Sequence, residues 1–540
     1  MVAEVSKTGD LMTWLLHQSQ RHNAPLTQVF IHPFGKPYLL LSDMRESQDI
    51  LLHRIKEFDR SSDMVAVFSG PFPNFHLHMR TGPEWKAHRK ILQDLMTPSF
   101  LEKVAAPAIY DSMLEATKLW TEKARLAPEK AFAASADIHN AALDAVLAFS
   151  FGSQFEHKAT RLQVEMLAGM KELASNGDRV VFPEARLPTS IQSMIAITES
   201  ITQIKSSVLP LWKWWVISKL PHLAGAIRRK NEVIRQELVK AAKTLEQDSD
   251  GQNDSRIRSA VDHIVDRERR NAQKDGRNAE YLSPTLQDEV FGFVVAGHDT
   301  TSTSLSWGVK FLADNPETQA RLRAALRSSF PDAVNEKRLP KGQEVMRASI
   351  PYLDATIEEI LRCGGTVPAV DRQAIQDTVL LGHHVPKGTT ILMLANGPSM
   401  FSPSFSIDEG LRSQSSQASE KGHMRFREWN KDDMAVFKPE RWLASAATET
   451  KDGAVGNGDI KLQNASFDAQ AGPSMPFGGG IRGCFGRRLA YVEMRTFLIT
   501  ILWTFELLKC PDEVSGYEAY DGVVHKPANC YVRLRNAPLS

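Results

Sequence analysis

Ten residues near the C-terminus, Phe477-Gly478-Gly479-Gly480-Ile481-Arg482-Gly483-Cys484-Phe485-Gly486, constrain this chain more than any other stretch. They set one cysteine in a glycine-rich turn, two residues after an arginine, and a helical pattern begins at Arg487. A lone cysteine is ordinarily a small buried hydrophobe. A thiolate at this position, however, meets free backbone N–H groups and the positive end of a helix dipole, and both favour the anion. Glycines keep the space around the sulfur low, so a large flat group can approach the backbone. Arg482 adds a fixed charge suited to a carboxylate. Together these are the requirements of a cysteine-ligated haem iron.

The same run resembles the haem-binding signature of the cytochrome P450 family, with Phe477, Gly480, Arg482, Cys484 and Gly486 on its fixed positions. The resemblance implies haem b with Cys484 as axial thiolate and Phe477, Arg482 and Gly486 at the cofactor. It also implies a mainly α fold with a small β region, in a single large domain over residues 25–540.

Composition agrees with a large helical enzyme. The chain has 540 residues, and 42% apolar content suffices for an extensive core. A net charge of +1 gives no electrostatic reason to expect a nucleic-acid partner. Cys363, Cys484, Cys510 and Cys530 show neither zinc spacing nor a disulfide framework, which points to a reducing compartment. Residues 27–42 read as a β-hairpin, 84–350 mostly as helices, and 378–394 and the C-terminus as short strands. The polar stretches Gln247–Ser255, 402–424 and 445–472 read as surface insertions, the first an interhelical loop and the other two expected to be mobile. Within residues 1–24, Leu11–Leu16 is too short to cross a bilayer. Membrane-bound eukaryotic relatives usually carry an anchor there. The expectation is therefore an intracellular protein, cytoplasmic or peripheral on the cytoplasmic face of the endoplasmic reticulum, or a version starting downstream of an anchor.

A second motif lies on an apolar helical pattern over 288–312, where Ala296-Gly297-His298-Asp299-Thr300-Thr301 interrupts the larger residues. Glycine inside a helix costs about 1 kcal/mol relative to alanine, which makes sense where something bulky passes close to the backbone. The pattern resembles the family's oxygen-activating motif. By that resemblance Ala296 and Gly297 face the haem, and Thr300 and Asp299 handle the protons that oxygen activation needs. Read locally, the same threonines could instead bond back to the preceding turn. His298 takes the motif's variable position and is not expected to be a ligand.

Glu359 and Arg362 stand at i and i+3 on one helix face, and Phe437-Lys438-Pro439-Glu440-Arg441-Trp442 resembles the family's Pro-Glu-Arg segment. The resemblance makes Glu359, Arg362 and Arg441 a buried structural network; Glu358 is the competing acid but lacks the spacing. Trp85 and Arg89, at i and i+4, resemble the family's propionate-binding Trp-x-x-x-Arg, and Arg372 matches a further propionate arginine.

The expected activity is insertion of one atom of O2 into a lipophilic organic substrate, in the manner of fungal enzymes of secondary metabolism. By resemblance the pocket draws on residues 62–80, Phe291–Ala296, Gly365–Val370 and Asp521–Val524. No Gly-x-Gly-x-x-Gly sits between a strand and a helix, so electrons should come from a separate NADPH-cytochrome P450 reductase. Lys86, Lys90, Arg487 and Arg488 offer either its docking face or an ordinary solvated surface. Leu209–Ile217, with three tryptophans and a lysine, suits either peripheral membrane contact or a buried helix. Two other haem proteins remain as alternatives. One is a peroxide-dependent or hydroperoxide-rearranging enzyme, whose usual sign is loss of the acid–alcohol pair. The other is a non-catalytic sensor or carrier, which has no need of that pair.

Overall fold

The structure is a computed structural model that describes residue 5 and residues 9–31, 35–173, 177–247, 257–421, 429–445 and 465–538. Its longest described helix, Pro284–Asp314, has 31 residues, most of them buried. The Ser283 hydroxyl accepts from the Leu286 N–H, and Pro284 takes the first helical position, where no amide donor is needed. This central helix packs more extensively on helix Ser135–Phe151 than any other pair of elements does. The approach is close: a Cβ on Gly297 would lie 3.0 Å from Val146, so the glycine serves helix packing. That reason for a small residue was not apparent from the sequence.

The small β region is built from distant segments. One five-stranded sheet runs Leu26–Val29, Tyr38–Leu41, Thr390–Leu394, Ala369–Ala374 and Phe58–Asp59. The predicted hairpin is its antiparallel edge, pairing Leu26 with Leu41, and Tyr38–Leu41 then pairs in parallel with Thr390–Leu394. The C-terminal strand Tyr531–Asn536 lies between Phe505–Leu508 and Ala131–Ala133. That last strand is an exception within the stretch read as helical.

The stretch 402–424 departs from expectation. Within it, residues 409–416 dock on helix Met44–Leu52 and its N-cap Asp43. Arg412 donates to Asp43 at 2.9 Å and to Glu46 at 3.1 Å, the Ser416 hydroxyl donates to Glu46, and both Glu46 and Ser416 are fully buried. Polar composition was misleading here because buried acids from another segment meet these groups. Residues 248–255, 422–424 and 446–464 lie outside the described residues. Ala465–Phe467, at the end of the third stretch, forms a strand with Leu443–Ser445.

Candidate active site

The cysteine loop closes on itself. The Cys484 N–H donates to the Phe477 carbonyl at 2.8 Å and the Gly483 N–H to that of Gly480 at 3.0 Å. Gly480 has φ +64°, and a Cβ there would lie 2.1 Å from the Leu51 carbonyl oxygen, so only glycine fits. Gly486, which caps helix Arg487–Thr504, is different. Its φ is −79°, and an added Cβ would meet no protein atom. Burial raises the Cys484 thiol, while hydrogen bonds from the Gly486 and Arg487 amides and the charge of Arg89 pull it back toward thiolate.

The sulfur's surroundings show what it faces. Cys484 is exposed, although protein atoms crowd it from most sides. Ala296, on the central helix, is likewise exposed while its neighbour Val295 is buried. Phe293 and Phe485 meet with ring centroids 6.2 Å apart, which sets the loop against this stretch of helix. Cys484 and Ala296 therefore look into an internal space, not bulk water.

Four arginines crowd nearby. Arg482 stacks on Trp85 with its guanidinium carbon 4.6 Å from the ring centroid and donates through Nη2 to the carbonyls of Leu77 and Met79, at 3.2 and 2.7 Å. Its Nη1 is buried without a partner, as is Nε of Arg60. Arg89 stacks on Phe485 at 4.6 Å. Arg372 is buried and donates to the Asp371 carbonyl at 2.7 Å. Burial, then the charges of Arg60, Arg372 and Arg89, press against the charge of Arg482, and only Asp59 relieves it. Asp59 itself is already bonded to Thr81 and the Arg60 amide. Surplus buried cations with orphaned donors, an accessible sulfur and a free face at Ala296 fit a flat group with two carboxylates, as haem is. Arg60 was not singled out by sequence, because no motif surrounds it.

The acid and the alcohol of the second motif diverge. Thr300 shares the Ala296 face, and its hydroxyl donates to the Ala296 carbonyl at 2.8 Å, the local bond noted above. Asp299 is buried to one side of that face, where its carboxylate accepts from the Lys526 ammonium. This pair borders a cavity of about 480 Å³ whose lining includes His139, Asn140, Glu199 and Lys526. Burial, then His298, pushes His139 down to about 3, and burial also lowers His298. Both imidazoles are neutral at neutral pH. Sequence could not have found Lys526 or His139, which come from remote segments without a motif.

Glu359 holds its network completely. Arg362 grips it with two bonds of 2.8 and 2.7 Å, Arg441 Nε donates at 3.0 Å, the Trp442 indole at 2.8 Å and the Lys438 amide at 2.8 Å. Burial alone would raise this carboxyl, but the Arg362 bonds and the two guanidinium charges hold it below the usual range. Glu358 points elsewhere, bonding Tyr491 on the cysteine helix. Trp442 is a member that spacing alone did not identify.

Comparison with known proteins agrees with this architecture. The sequence profile of the family described as "Cytochrome P450" matches residues 9–399 and 423–532. A "Cytochrome P450 monooxygenase TRI13" of Fusarium sporotrichioides is 38% identical, over 98% of this chain and 90% of its own length. A "Cytochrome P450 monooxygenase xilC" of Penicillium rubens is 32% identical, over 97% and 87%. The solved heme domain of cytochrome P450DA superposes with a TM-score of 0.67 at 16% identity, over 98% of this chain and 93% of that one, a likeness of fold. The chain belongs to the cytochrome P450 family. It is a haem-thiolate monooxygenase of the fungal type, and family membership implies haem b, O2, an organic substrate and an electron donor. Among the described residues no helix is long and apolar enough to cross a membrane.

Proposed function

We propose that Cys484 would ligate the haem iron, that Arg482, Arg372, Arg89 and Trp85, joined by Arg60, would hold its propionates, and that Phe477, Gly486, Ala296 and the backbone at Gly297 would border it. The observation that carries this reading is the accessible Cys484 sulfur, hydrogen-bonded at a helix N-terminus, two residues from Arg482, whose Nη1 is buried without a partner. Bound haem supplies the activation of O2 with electrons delivered from outside. Thr300 presents its hydroxyl on the Ala296 face and steadies a proton there. Asp299 links that face to the polar cavity beside Lys526 and passes protons inward. Glu359, Arg362 and Arg441 brace the fold and take no part in chemistry.

The substrate is lipophilic. Phe72, Phe75 and Phe291 cluster beside the central helix, and a Cβ on Gly292 would lie 2.6 Å from the Phe75 ring. Asp288 and Glu289 pin this segment by accepting from the amides of Asn74 and His76 at 3.0 and 2.9 Å. The result is a fixed, buried apolar packing beside the central helix, the apolar surroundings that a lipophilic substrate suits. NADPH-cytochrome P450 reductase docks near the cysteine loop, where Lys86, Lys90, Arg487 and Arg488 are exposed. Leu209, Leu211, Trp212 and Trp215 are exposed at 54–62%, while Trp214 closes on Gly70, so this helix offers peripheral contact with the endoplasmic reticulum membrane. The enzyme serves secondary metabolism.

Two variants test the assignment. Wild-type ferrous protein with CO should show the long-wavelength thiolate band, and Cys484→His should lose it; retention of that band would remove Cys484 from the iron. Thr300→Ala should keep the band yet divert about 99% of NADPH consumption to hydrogen peroxide, the lower end of the ~10²–10⁴-fold range of acid–base contributions. Coupling that stays intact would remove Thr300 from proton handling.

A further inference from the structure

Burying an imidazole nitrogen without a partner is costly, and this fold does it twice in one place. His298 Nε2 and His139 Nε2 are both buried and unpartnered. The tautomer of His298 follows from its other nitrogen, which lies 2.8 Å from the Val294 carbonyl. A carbonyl only accepts, so Nδ1 carries the proton and Nε2 presents a lone pair. His139 stands against it with ring centroids 4.9 Å apart at 86°. The carboxylate of Asp299 completes the group, and one donor atom from each of the three residues lies within 4.8 Å of the others.

We propose that His139, His298 and Asp299 form a binding site for a zinc ion, entered from the cavity beside Lys526. Two imidazoles and one carboxylate are a common zinc set, with water as the fourth ligand. Zinc bonds of about 2.0–2.1 Å place tetrahedral donors about 3.4 Å apart, so a small rotation of cavity-facing His139 closes the set. The hydrogen bond from His298 Nδ1–H to the Val294 carbonyl is the outer-shell contact that orients a histidine ligand. Lys526 is the built-in competitor, because its ammonium occupies Asp299 in the metal-free state. When displaced it remains in a cavity that also contains Glu199 and Glu184. A second cluster of this kind, Asp10, Asp521 and His525, is already used by the fold. Asp10 caps Thr13, and Asp521 accepts from Met12 and pairs with His525.

The consequence for catalysis rests on the proton role proposed for Asp299. A zinc ion there takes the carboxylate out of proton delivery, making the site inhibitory.

The experiment uses the full haem-loaded chain, stripped with EDTA and titrated with zinc chloride against a chromophoric chelator. Zinc per chain is counted by mass spectrometry after gel filtration. One tight zinc per chain is expected. His139→Ala should weaken that zinc by about 100-fold or more, beyond the loss typical of outer-shell changes. Lys526→Met should strengthen it about tenfold by freeing Asp299, a gain that no misfolding would produce. Unchanged zinc affinity in both variants overturns the site. Bound zinc should also raise hydrogen peroxide release per NADPH, reversibly with EDTA. Stoichiometric binding without that rise supports the site and overturns the proton role of Asp299.

Discussion

Two buried arginine clusters in this enzyme are balanced in opposite ways. Around Glu359, the guanidinium groups of Arg362 and Arg441 meet a carboxylate whose two oxygens accept five hydrogen bonds, and all three side chains are almost wholly buried. Around Arg482, the guanidinium groups of Arg60, Arg89 and Arg372 crowd together, and donors on Arg60 and Arg482 stay unpartnered. Charge matched bond for bond by a counter-charge braces a fold; charge only partly balanced, here by Asp59 and by Asp371 at 4.0 Å from Arg60, leaves donors for a ligand. The same residue type thus braces the fold in one place and, on the reading proposed above, meets the cofactor in the other, and the partner count tells them apart.

The strongest way to break this contrast is Glu359→Ala. It should strand two buried arginines and cost about 3–5 kcal/mol, read as a lower urea midpoint or as loss of soluble haem-loaded protein. A variant that folds normally would place the brace elsewhere. Arg482→Met should do the reverse: the haem-free chain keeps or gains stability, while haem transfers to apomyoglobin about 10- to 100-fold faster, or ~1.4–2.8 kcal/mol. Unchanged transfer would mean that Arg482 holds no propionate. The smallest effect sharpens the first cluster through pH. Because Glu359 titrates below its unfolded value, its ionised form contributes stability above the ordinary carboxylate range. That contribution is lost as pH falls through the lower native value. Wild type should therefore exceed Glu359→Gln by about 1–2 kcal/mol at neutral pH, and the two urea midpoints should converge in acid.

What was legible beforehand follows the range of the interaction. Cys484 and Arg482 share one turn, Asp299 and Thr300 one helix, and Glu359 and Arg362 one helical face, so spacing alone placed each pair. Arg60, His139 and Lys526 were invisible, since nothing adjacent to them in the chain hints at their partners; Trp442 was passed over although its neighbour Arg441 shares its partner Glu359. The 409–416 segment was misread because its polar groups meet acids more than 360 residues away, on helix Met44–Leu52 and its N-cap.

The sequence by itself determined the family, the mainly α fold and the local motifs, because a turn or a helical face is set by neighbouring residues. The tertiary structure decided which way those residues look. It kept Thr300 on the Ala296 face, turned Asp299 toward Lys526, packed Gly297 on Val146, and left a buried donor of Arg482 without a partner. Those choices depend on how remote segments share one core. Burial makes charge pairing and cavity access matter most there, and local spacing carries no record of them.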